Sequence, residues 1–324
     1  MLSIYPESLY YATYIFDFPP VLGSQVPLTG TSPFEYTTPN RPALAMFNNQ
    51  LWCVYRSGGG KNKLCYCITP PQRTGVGRPW SGEIEIPDQT TVEGPALAVF
   101  KDRLYCVYVG TGGDNSLYYT YWSNVNSSWS DAKKFPKHYS AYDPALAVFQ
   151  GKLWCVYVQN ARDDKLHYVT LDDVDAEWST DEPFSNHFSA AGPALAASKR
   201  MLLCVHRGGG TDERLRETTY DYDGNMWSAD KLLLTGITHT ERSSDGPGLT
   251  FREDQSSFVV AYKGAGSDTG VYTATRQTGD KIWTHVTNLF RSRTQAGPAL
   301  VSYLVELEGE NVVQYQYVYR GVAT

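Results

Sequence analysis

The chain has 324 residues with a formal net charge of −6, and it contains 28 Gly, 18 Pro and 24 Tyr. A hydrophobic fraction of 42% suffices for a packed core and excludes a disordered chain. No apolar run is long enough to span a bilayer. The mild acidity and scattered Lys and Arg exclude a nucleic-acid binder, which clusters positive charge against phosphates. Abundant aromatic residues and glycine, without helix-period segments, predict an all-β protein.

A short segment, Pro-Ala-Leu-Ala or a variant of it, recurs along the whole chain. The six copies begin at Pro42, Pro95, Pro144, Pro193, Pro247 and Pro298, at intervals of 53, 49, 49, 54 and 51 residues. Self-similarity at a fixed period of this length is typical of repeat architectures. The repeat therefore predicts one structural unit of about 50 residues, built six times.

Within each copy, two further runs follow at nearly constant spacing. The second apolar run ends at Arg56, Val109, Val158, Arg207, Lys263 and Arg320. In the five complete copies a third run starts eight residues later, at Leu64, Leu117, Leu166, Leu215 and Val271. A Trp follows the third run, at Trp80, Trp129, Trp178, Trp227 and Trp283. Period-2 alternation in Val, Tyr, Trp and Leu, with Gly, Asp and Asn between the runs, predicts strands joined by turns.

Each repeat is thus predicted to be a four-stranded antiparallel unit that must stack on its neighbours, which gives a six-bladed β-propeller. The sixth copy ends after two strands, and Leu9–Tyr14 matches a third strand, with a fourth expected between Leu22 and Tyr36. We therefore expect a single domain, residues 1–324, closed by N-terminal strands that complete the C-terminal blade. The predicted repeats are 42–94, 95–143, 144–192, 193–246, 247–297, and 298–324 together with 1–41.

Several recurring residues are interpreted as packing groups. Four cysteines hold one repeat position, and Cys65 and Cys67 share one face of a strand, so we expect all six thiols to be free. The four cysteines that share the repeat position are Cys53, Cys106, Cys155 and Cys204. His206 aligns with a Tyr in the other copies and is expected to pack in the same place, and the Trp after the third run is expected to anchor neighbouring blades. Without a basic leader and cleavage site, the chain is expected in the cytoplasm or released without a signal peptide.

No metal or other cofactor is predicted. The acidic turns at residues 172–175 and 221–224 resemble calcium loops only loosely, because the spacing of a twelve-residue loop with its final Glu is absent. No Cys or His spacing typical of a zinc site occurs. We interpret these acids as hairpin-turn residues.

Two loop families are the candidate ligand site. The loops after the second strands and the loops that lead into each blade must emerge at the same end of an antiparallel unit. The candidate residues are the basic strand ends Arg56, Arg207, Lys263 and Arg320, the loop acids Asp114, Asp163, Asp212 and Asp268, and the aromatic Trp52 and Trp154. They could hydrogen-bond and stack on sugars; alternatively, the acids cap Gly-rich turns and pair with the basic residues.

The repeat order, with second runs such as LWCVYR, third runs such as RETTYDYDGNMW and then Trp, resembles the six-bladed fungal fucose lectins and related bacterial propeller lectins over the whole chain. The resemblance implies a non-enzymatic, multivalent lectin whose clefts between blades bind monosaccharide units, such as fucose-like or amino sugars, on glycans or glycoconjugates. Neither nucleic acid nor membrane insertion is expected, and a homodimer stays possible.

Two alternatives remain open. The first is a sialidase-like or other glycosidase with one axial active site, for which Glu93, Asp143 and Asp245 are the candidate acids; the sialidase Asp-box is not matched, since Asp223 and Gly224 are adjacent. The second is a protein-interaction propeller, for which the long segment Leu234–Asp245 before the fifth repeat is the main asymmetry.

Overall fold

The computed structural model describes residues 8–15, 21–22, 26–27, 36–70, 80–113, 115–159, 163–221, 223–224, 226–236, 238–307 and 310–321. Its strands form six antiparallel sheets arranged around an axis, which confirms the six-bladed β-propeller. Within these residues, no helix is long and apolar enough to cross a membrane.

Blades 1 to 3 each contain four main strands, numbered outward from the axis. Blade 1 consists of Ala43–Phe47, Gln50–Arg56, Lys63–Thr69 and Ile84–Thr90. Blade 2 consists of Ala96–Phe100, Arg103–Val109, Ser116–Ser123 and Lys133–Tyr139, with the short strand Ser128–Trp129. Blade 3 consists of Ala145–Phe149, Lys152–Val158, Lys165–Leu171 and Glu182–Phe188.

Blades 4 to 6 vary more at their outer edges. Blade 4 consists of Ala194–Ala197, Met201–Arg207, Leu215–Asp221 and Lys231–Leu232. Blade 5 consists of Gly248–Arg252, Ser257–Lys263, Gly270–Gln277 and Thr284–Arg293. Blade 6 consists of Ala299–Leu307, Glu310–Arg320 and Leu9–Ile15, with the short strands Val21–Leu22 and Val26–Pro27.

The N-terminal strand closes the ring, as predicted. Leu9–Ile15 pairs antiparallel with the last strand, from Leu9 opposite Arg320 to Ile15 opposite Gln314. The predicted fourth strand is present as Val21–Leu22 and Val26–Pro27, both paired with Leu9–Ile15; most of residues 28–36 lie outside the described residues. Pairing the two ends of the chain in one sheet leaves no open seam in the ring.

The fourth strands do not follow the period-2 pattern of the first three. In blades 2 and 3 every third residue is buried, at Phe135 and His138 and at Phe184 and His187. The register against the third strand shifts in both blades, and Lys137 has a positive φ of 61°. A β-bulge therefore turns the strand partway along, which is why alternation alone did not locate it.

In blades 2, 3 and 4 the repeated Trp packs on the blade before it. Trp129 of blade 2 lies against Trp52 of blade 1, with ring centroids 6.0 Å apart. The ring centroids of Trp178 in blade 3 and Phe135 in blade 2 lie 4.7 Å apart. Trp227 of blade 4 packs on Trp154 of blade 3, with ring centroids 6.1 Å apart. The packing interpretation of this Trp is confirmed.

The repeated cysteines and His206 lie inside the blades, as expected from their alignment. All six cysteines are free and buried, and Cys53, Cys106, Cys155 and Cys204 each belong to the apolar cluster shared with the preceding blade. His206 is fully buried, and its Nε2 lies 3.1 Å from Asp230 Oδ1. In blade 5 the aligned Tyr262 donates its hydroxyl hydrogen to Glu241 at 2.5 Å. The same repeat position therefore holds a buried ring that hydrogen-bonds a carboxylate in both blades.

Two segments that the sequence singled out, the acidic turn of blade 3 and the segment before blade 5, make structural contacts within the ring. In the acidic turn of blade 3, Asp172 pairs with Lys152 and Asp173 with Lys101 of blade 2, both at 3.0 Å; no cluster of metal-ligating side chains occurs in the described part of the chain. In the segment before blade 5, Leu234–Thr235 and His239–Thr240 form a small hairpin, and the following Glu241 is buried.

Candidate functional site

The leading loops and the loops after the second strands share one end of the ring, here called the loop face. Backbone bonds join them: Ala141 N–H donates to Val158 O at 2.9 Å and Ala190 N–H to Gly208 O at 3.2 Å. The opposite end, which carries the hairpins between first and second strands, is the hairpin face. The predicted common placement of the two loop families is therefore present.

A repeated hydroxyl shapes every leading loop, and sequence reasoning missed it. Each donates to the carbonyl two residues ahead, at 2.6 to 3.2 Å, and each is at most 1% exposed. The six residues are Thr38, Thr91, Ser140, Ser189, Ser243 and Thr294. Such a side-chain turn fixes the loop locally, and a Ser or Thr four residues before each repeated Pro was the signal that could have found it.

The four predicted basic residues fasten the leading loops. Arg56 Nη1 donates to Asn40 Oδ1 at 2.8 Å and to Val92 O at 2.6 Å, which joins the leading loops of blades 1 and 2. Arg207, Lys263 and Arg320 donate to Ala190 O, Ser244 Oγ and Pro39 O at 2.8 to 3.1 Å. These donors bind protein atoms in the structure, so a direct role in ligand binding stays a prediction.

The predicted acids cap the loops that contain them. Each accepts the backbone N–H two residues ahead: Asp163 from Lys165, Asp212 from Arg214 and Asp268 from Gly270, at 2.8 to 3.3 Å. Hydrogen bonds from the Arg214 side chain, with smaller contributions from Arg216, lower the pKa of Asp212. Asp114 lies outside the described residues. The turn-capping alternative thus describes the three visible acids.

The two predicted Trp rings lie away from these acids. Trp52 and Trp154 are 3% exposed, and each indole N–H donates to a backbone carbonyl, of Phe47 and Phe149 respectively. Both stack on a third-strand Tyr, with centroids 5.3 and 5.4 Å apart. Trp154 lines a cavity of about 270 Å³.

The structure brings Asp163 and Asp212 together in a cleft between blades 3 and 4 on the loop face. The cleft has a volume of about 390 Å³. Its other lining residues include Asp164, Asn186, Phe188, Gly209, Gly210, Arg216 and Asp230. Because Asn186, Phe188 and Asp230 come from the outer part of the blades, the repeat comparison of the inner three runs did not single them out.

The cleft combines one exposed ring with several oxygen acceptors. Phe188 is 41% exposed, and Asn186 beside it is exposed. Arg216 connects Asp212 and Asp230, with N–O distances of 3.1 and 3.2 Å. Four carboxylates against the guanidinium groups of Arg216 and Arg214 leave a negative excess, which favours a neutral or cationic polyhydroxyl ligand that can stack on the ring and donate hydrogen bonds to the acids.

One hydrogen bond crosses this cleft from blade 3 to blade 4, and an equivalent bond occurs at the next cleft. Asp164 Oδ2 of blade 3 accepts the N–H of Gly210 in blade 4 at 2.7 Å. At the same repeat positions, Glu213 Oε1 of blade 4 accepts the N–H of Gly266 in blade 5 at 3.0 Å. Neighbouring loops are therefore held at a repeated distance on the loop face.

The axis is closed at the loop face by the residues that precede each repeated Pro. A Cβ on Gly94 would collide with Arg41 O, and one on Gly297 with Gly246 O, so the backbones approach too closely for a side chain. Arg41 reaches across this ring: its Nε lies 3.3 Å from Asp143 Oδ2, and its Nη atoms donate to the carbonyls of Pro193 and Pro247.

An axial cavity of about 220 Å³ collects the three acids proposed for a glycosidase. Asp143 Oδ1 accepts the N–H of Gly94 at 2.6 Å, and Glu93 Oε2 accepts Asn40 Nδ2 at 2.9 Å. Burial, and then the nearby Asp143 carboxylate, raise the pKa of Glu93 to about 8. Glu93 is accordingly protonated at neutral pH, in the same cavity as the Asp143 carboxylate.

The contribution of Glu93 to stability is therefore expected to fall as the pH rises from about 4.5 to about 8. The folded protein holds a proton on Glu93 that the unfolded chain has released in this range, so the contribution is complete below 4.5 and lost above 8. The slope for one proton is at most about 1.4 kcal/mol per pH unit. Urea unfolding between pH 5 and 8 measures it. In Glu93→Gln the slope should decrease, and an unchanged slope would show that another group is responsible.

The comparisons with known proteins show the fold alone. No protein-family model matches the chain, and no curated protein matches its sequence. AofleA from Arthrobotrys oligospora is similar in structure with a TM-score of 0.61 and 11% identity, over 87% of this chain and 79% of that one. A variant of AofleA with three Arg replaced by Ala gives 0.59 and 10%, with the same coverage. A protein of unknown function from Dyadobacter fermentans gives 0.59 and 12%, over 87% of this chain and 94% of that one.

Proposed function

We propose that the protein is a multivalent saccharide-binding protein, a lectin, with sugar sites in clefts between blades on the loop face. The observation that carries the proposal is the cleft between blades 3 and 4, where the exposed Phe188 ring faces a group of carboxylates, an amide and Arg216. Sugar recognition needs both elements: an apolar platform for the ring face and fixed acceptors for hydroxyls. The excess of carboxylates favours neutral or amino sugars.

Repetition supports multivalency. The link from an acid of one blade to a Gly N–H of the next occurs at the Asp164–Gly210 and Glu213–Gly266 positions, so this part of the cleft scaffold is repeated at two neighbouring interfaces. Several weak sites on a rigid ring bind a dense glycan surface far more tightly than one site does. The proposal includes binding without turnover.

Replacing Phe188 by Ala is expected to remove one sugar site. Calorimetric titration with a monosaccharide identified on a glycan array should give a stoichiometry lower by one, with the other sites unchanged. Because more than half of the Phe188 side chain is covered, the free energy of unfolding should fall by about 1–2 kcal/mol, less than the loss of about 3–5 kcal/mol on truncating a fully buried aromatic ring.

The matched control is Val99→Ala, a similarly exposed apolar residue of an inner strand, outside the cleft. It should leave the stoichiometry unchanged. Binding of one unrelated ligand per chain, with no sugar bound, would contradict the proposed function.

The axial cavity favours a second candidate, a glycosidase. Glu93 is a carboxylic acid protonated near neutral pH, beside Asp143 and Asp245 in one cavity, which is the pattern of a general acid with a neighbouring carboxylate. Turnover of chromogenic glycosides that disappears in Glu93→Gln would support it. The ties of Asp143 to Gly94 and Arg41 favour a structural role for that acid.

A further inference from the structure

The packing between blades is not the same at every interface. Between blades 3 and 4, Trp154 packs on Tyr168 and Tyr220, with centroids 5.4 and 4.6 Å apart, and Trp227 completes the cluster. The same repeat positions between blades 1 and 2 hold a cluster of the same kind, composed of Trp52, Tyr66, Trp122 and Trp129. Four aromatic rings fill each of these two interfaces.

Between blades 4 and 5 those positions hold Leu203, Glu217 and Arg276, and only Trp283 is aromatic. Glu217 Oε1 lies 3.1 Å from Arg276 Nη1, both side chains are less than 10% exposed, and Trp283 Nε1 donates to Glu217 Oε2 at 2.8 Å. A buried ion pair and one Leu therefore replace three rings.

A cavity of about 620 Å³ opens on the hairpin face at this interface. The corresponding cavity between blades 3 and 4 has about 270 Å³. The two are lined at equivalent repeat positions, by Met201 and Thr219 in the larger and by Lys152 and Thr170 in the smaller. The smaller cavity is also lined by Trp154, Tyr168 and Tyr220, whereas Phe251, Glu253 and Ser256 of blade 5 line the larger one.

The larger cavity has an apolar floor and a hydroxyl-rich wall. Met201 and Phe251 pack on the apolar cluster between blades 4 and 5, and Phe258 holds the Phe251 ring at 4.8 Å. Four hydroxyl side chains line the wall: Ser198, Thr219, Ser256 and Thr278. An apolar floor with convergent hydroxyls is suited to the faces and edges of sugar rings.

The charges of the cavity leave a small negative excess. Arg200 Nη2 pairs with Asp223 Oδ2 at 3.0 Å. The other charged residues that line the cavity are Lys199, Asp221 and Glu253, which together carry one negative charge. The balance favours neutral or amino sugars and disfavours acidic ones, because an added carboxylate would be repelled.

We propose that this cavity is a single-copy site for an oligosaccharide of two or three neutral or amino sugars, distinct from the loop-face clefts. The inference rests on the proposed lectin function. The volume exceeds that of the loop-face cleft, at about 620 against 390 Å³, and lies within the ordinary range of small-molecule sites. The buried Glu217–Arg276 pair gives this interface a different composition from the ring clusters between blades 1 and 2 and between blades 3 and 4.

The test is an array of immobilised mono-, di- and trisaccharides built from neutral, amino and acidic sugars. Gly279 lines the cavity, and a Cβ there meets no atom within 4 Å, so Gly279→Trp adds a blocking ring without a backbone clash. Gly82→Trp in blade 1, equally free of contacts, is the matched control. Glu253→Gln, at an exposed position, is a milder second variant.

We expect Gly279→Trp to lose at least tenfold in signal for a set of neutral or amino di- and trisaccharides, while Gly82→Trp keeps it. Glu253→Gln should weaken amino oligosaccharides more than neutral ones. The inference is overturned if no oligosaccharide distinguishes Gly279→Trp from Gly82→Trp, or if acidic ones bind best. Monosaccharide signals lost in Phe188→Ala report separately on the loop-face cleft, and an array without any sugar signal contradicts the proposed function itself.

Discussion

Arg41→Met is expected to lower the free energy of unfolding by about 3–5 kcal/mol, the usual cost of removing one partner of a buried ion pair. Arg41 is 8% exposed, and its guanidinium contacts Asp143 of blade 3 and the carbonyls of Pro193 and Pro247 in blades 4 and 5. One side chain from blade 1 thus bonds to three other blades across the axis. Without it, the Asp143 carboxylate stays buried near Glu93 and Asp245 with no compensating charge.

Urea unfolding at pH 7 measures this effect. The double variant Arg41→Met with Asp143→Asn removes the unpaired charge and should recover part of the loss, because the two residues interact directly. A loss below about 1 kcal/mol in the single variant would mean that the axial ring does not depend on Arg41.

Trp154→Ala is expected to cost about 3–5 kcal/mol in the free energy of unfolding, the range for truncating a buried Trp. The ring is 3% exposed and packs on Tyr168, Tyr220 and Trp227, so its removal leaves a void between blades 3 and 4. Thermal and urea unfolding measure the loss.

The informative contrast is with the exposed Phe188. Trp154→Ala should destabilise the fold while the array profile stays the same below the unfolding temperature, whereas Phe188→Ala should lose sugar binding at the loop-face cleft and cost less stability. A stable Trp154→Ala protein that no longer binds sugar would restore Trp154 to the ligand site.

The fold was predictable because the repeat carries its own alignment. The six predicted ends of the second strands, from Arg56 to Arg320, are the last residues of those strands in the structure. The pairing of Leu9–Ile15 with the last strand followed from the same spacing. The positions of the fourth strands were not predictable in this way, because a bulge such as that at Lys137 replaces alternating burial by burial of every third residue.

The candidate site was predictable only in part. Placement of the two loop families on one face needed topology alone, and Asp163 and Asp212 do line one cleft. The sequence predicts Trp52 and Trp154 as the aromatic residues of the site, but Phe188 is the ring that lines the cleft with Asp163 and Asp212. A sequence does not show which aromatic side chains the neighbouring blade covers. The reach of Arg41 across the axis likewise exists only once the ring has closed.

The most direct test of saccharide binding between blades is a crystal structure after soaking with a mixture of neutral and amino monosaccharides. The account predicts a sugar in the cleft between blades 3 and 4, with its ring face on Phe188 and its hydroxyls on the carboxylates beside Arg216. A sugar bound only in the axial cavity among Glu93, Asp143 and Asp245, with the clefts between blades empty at saturating concentration, would contradict it.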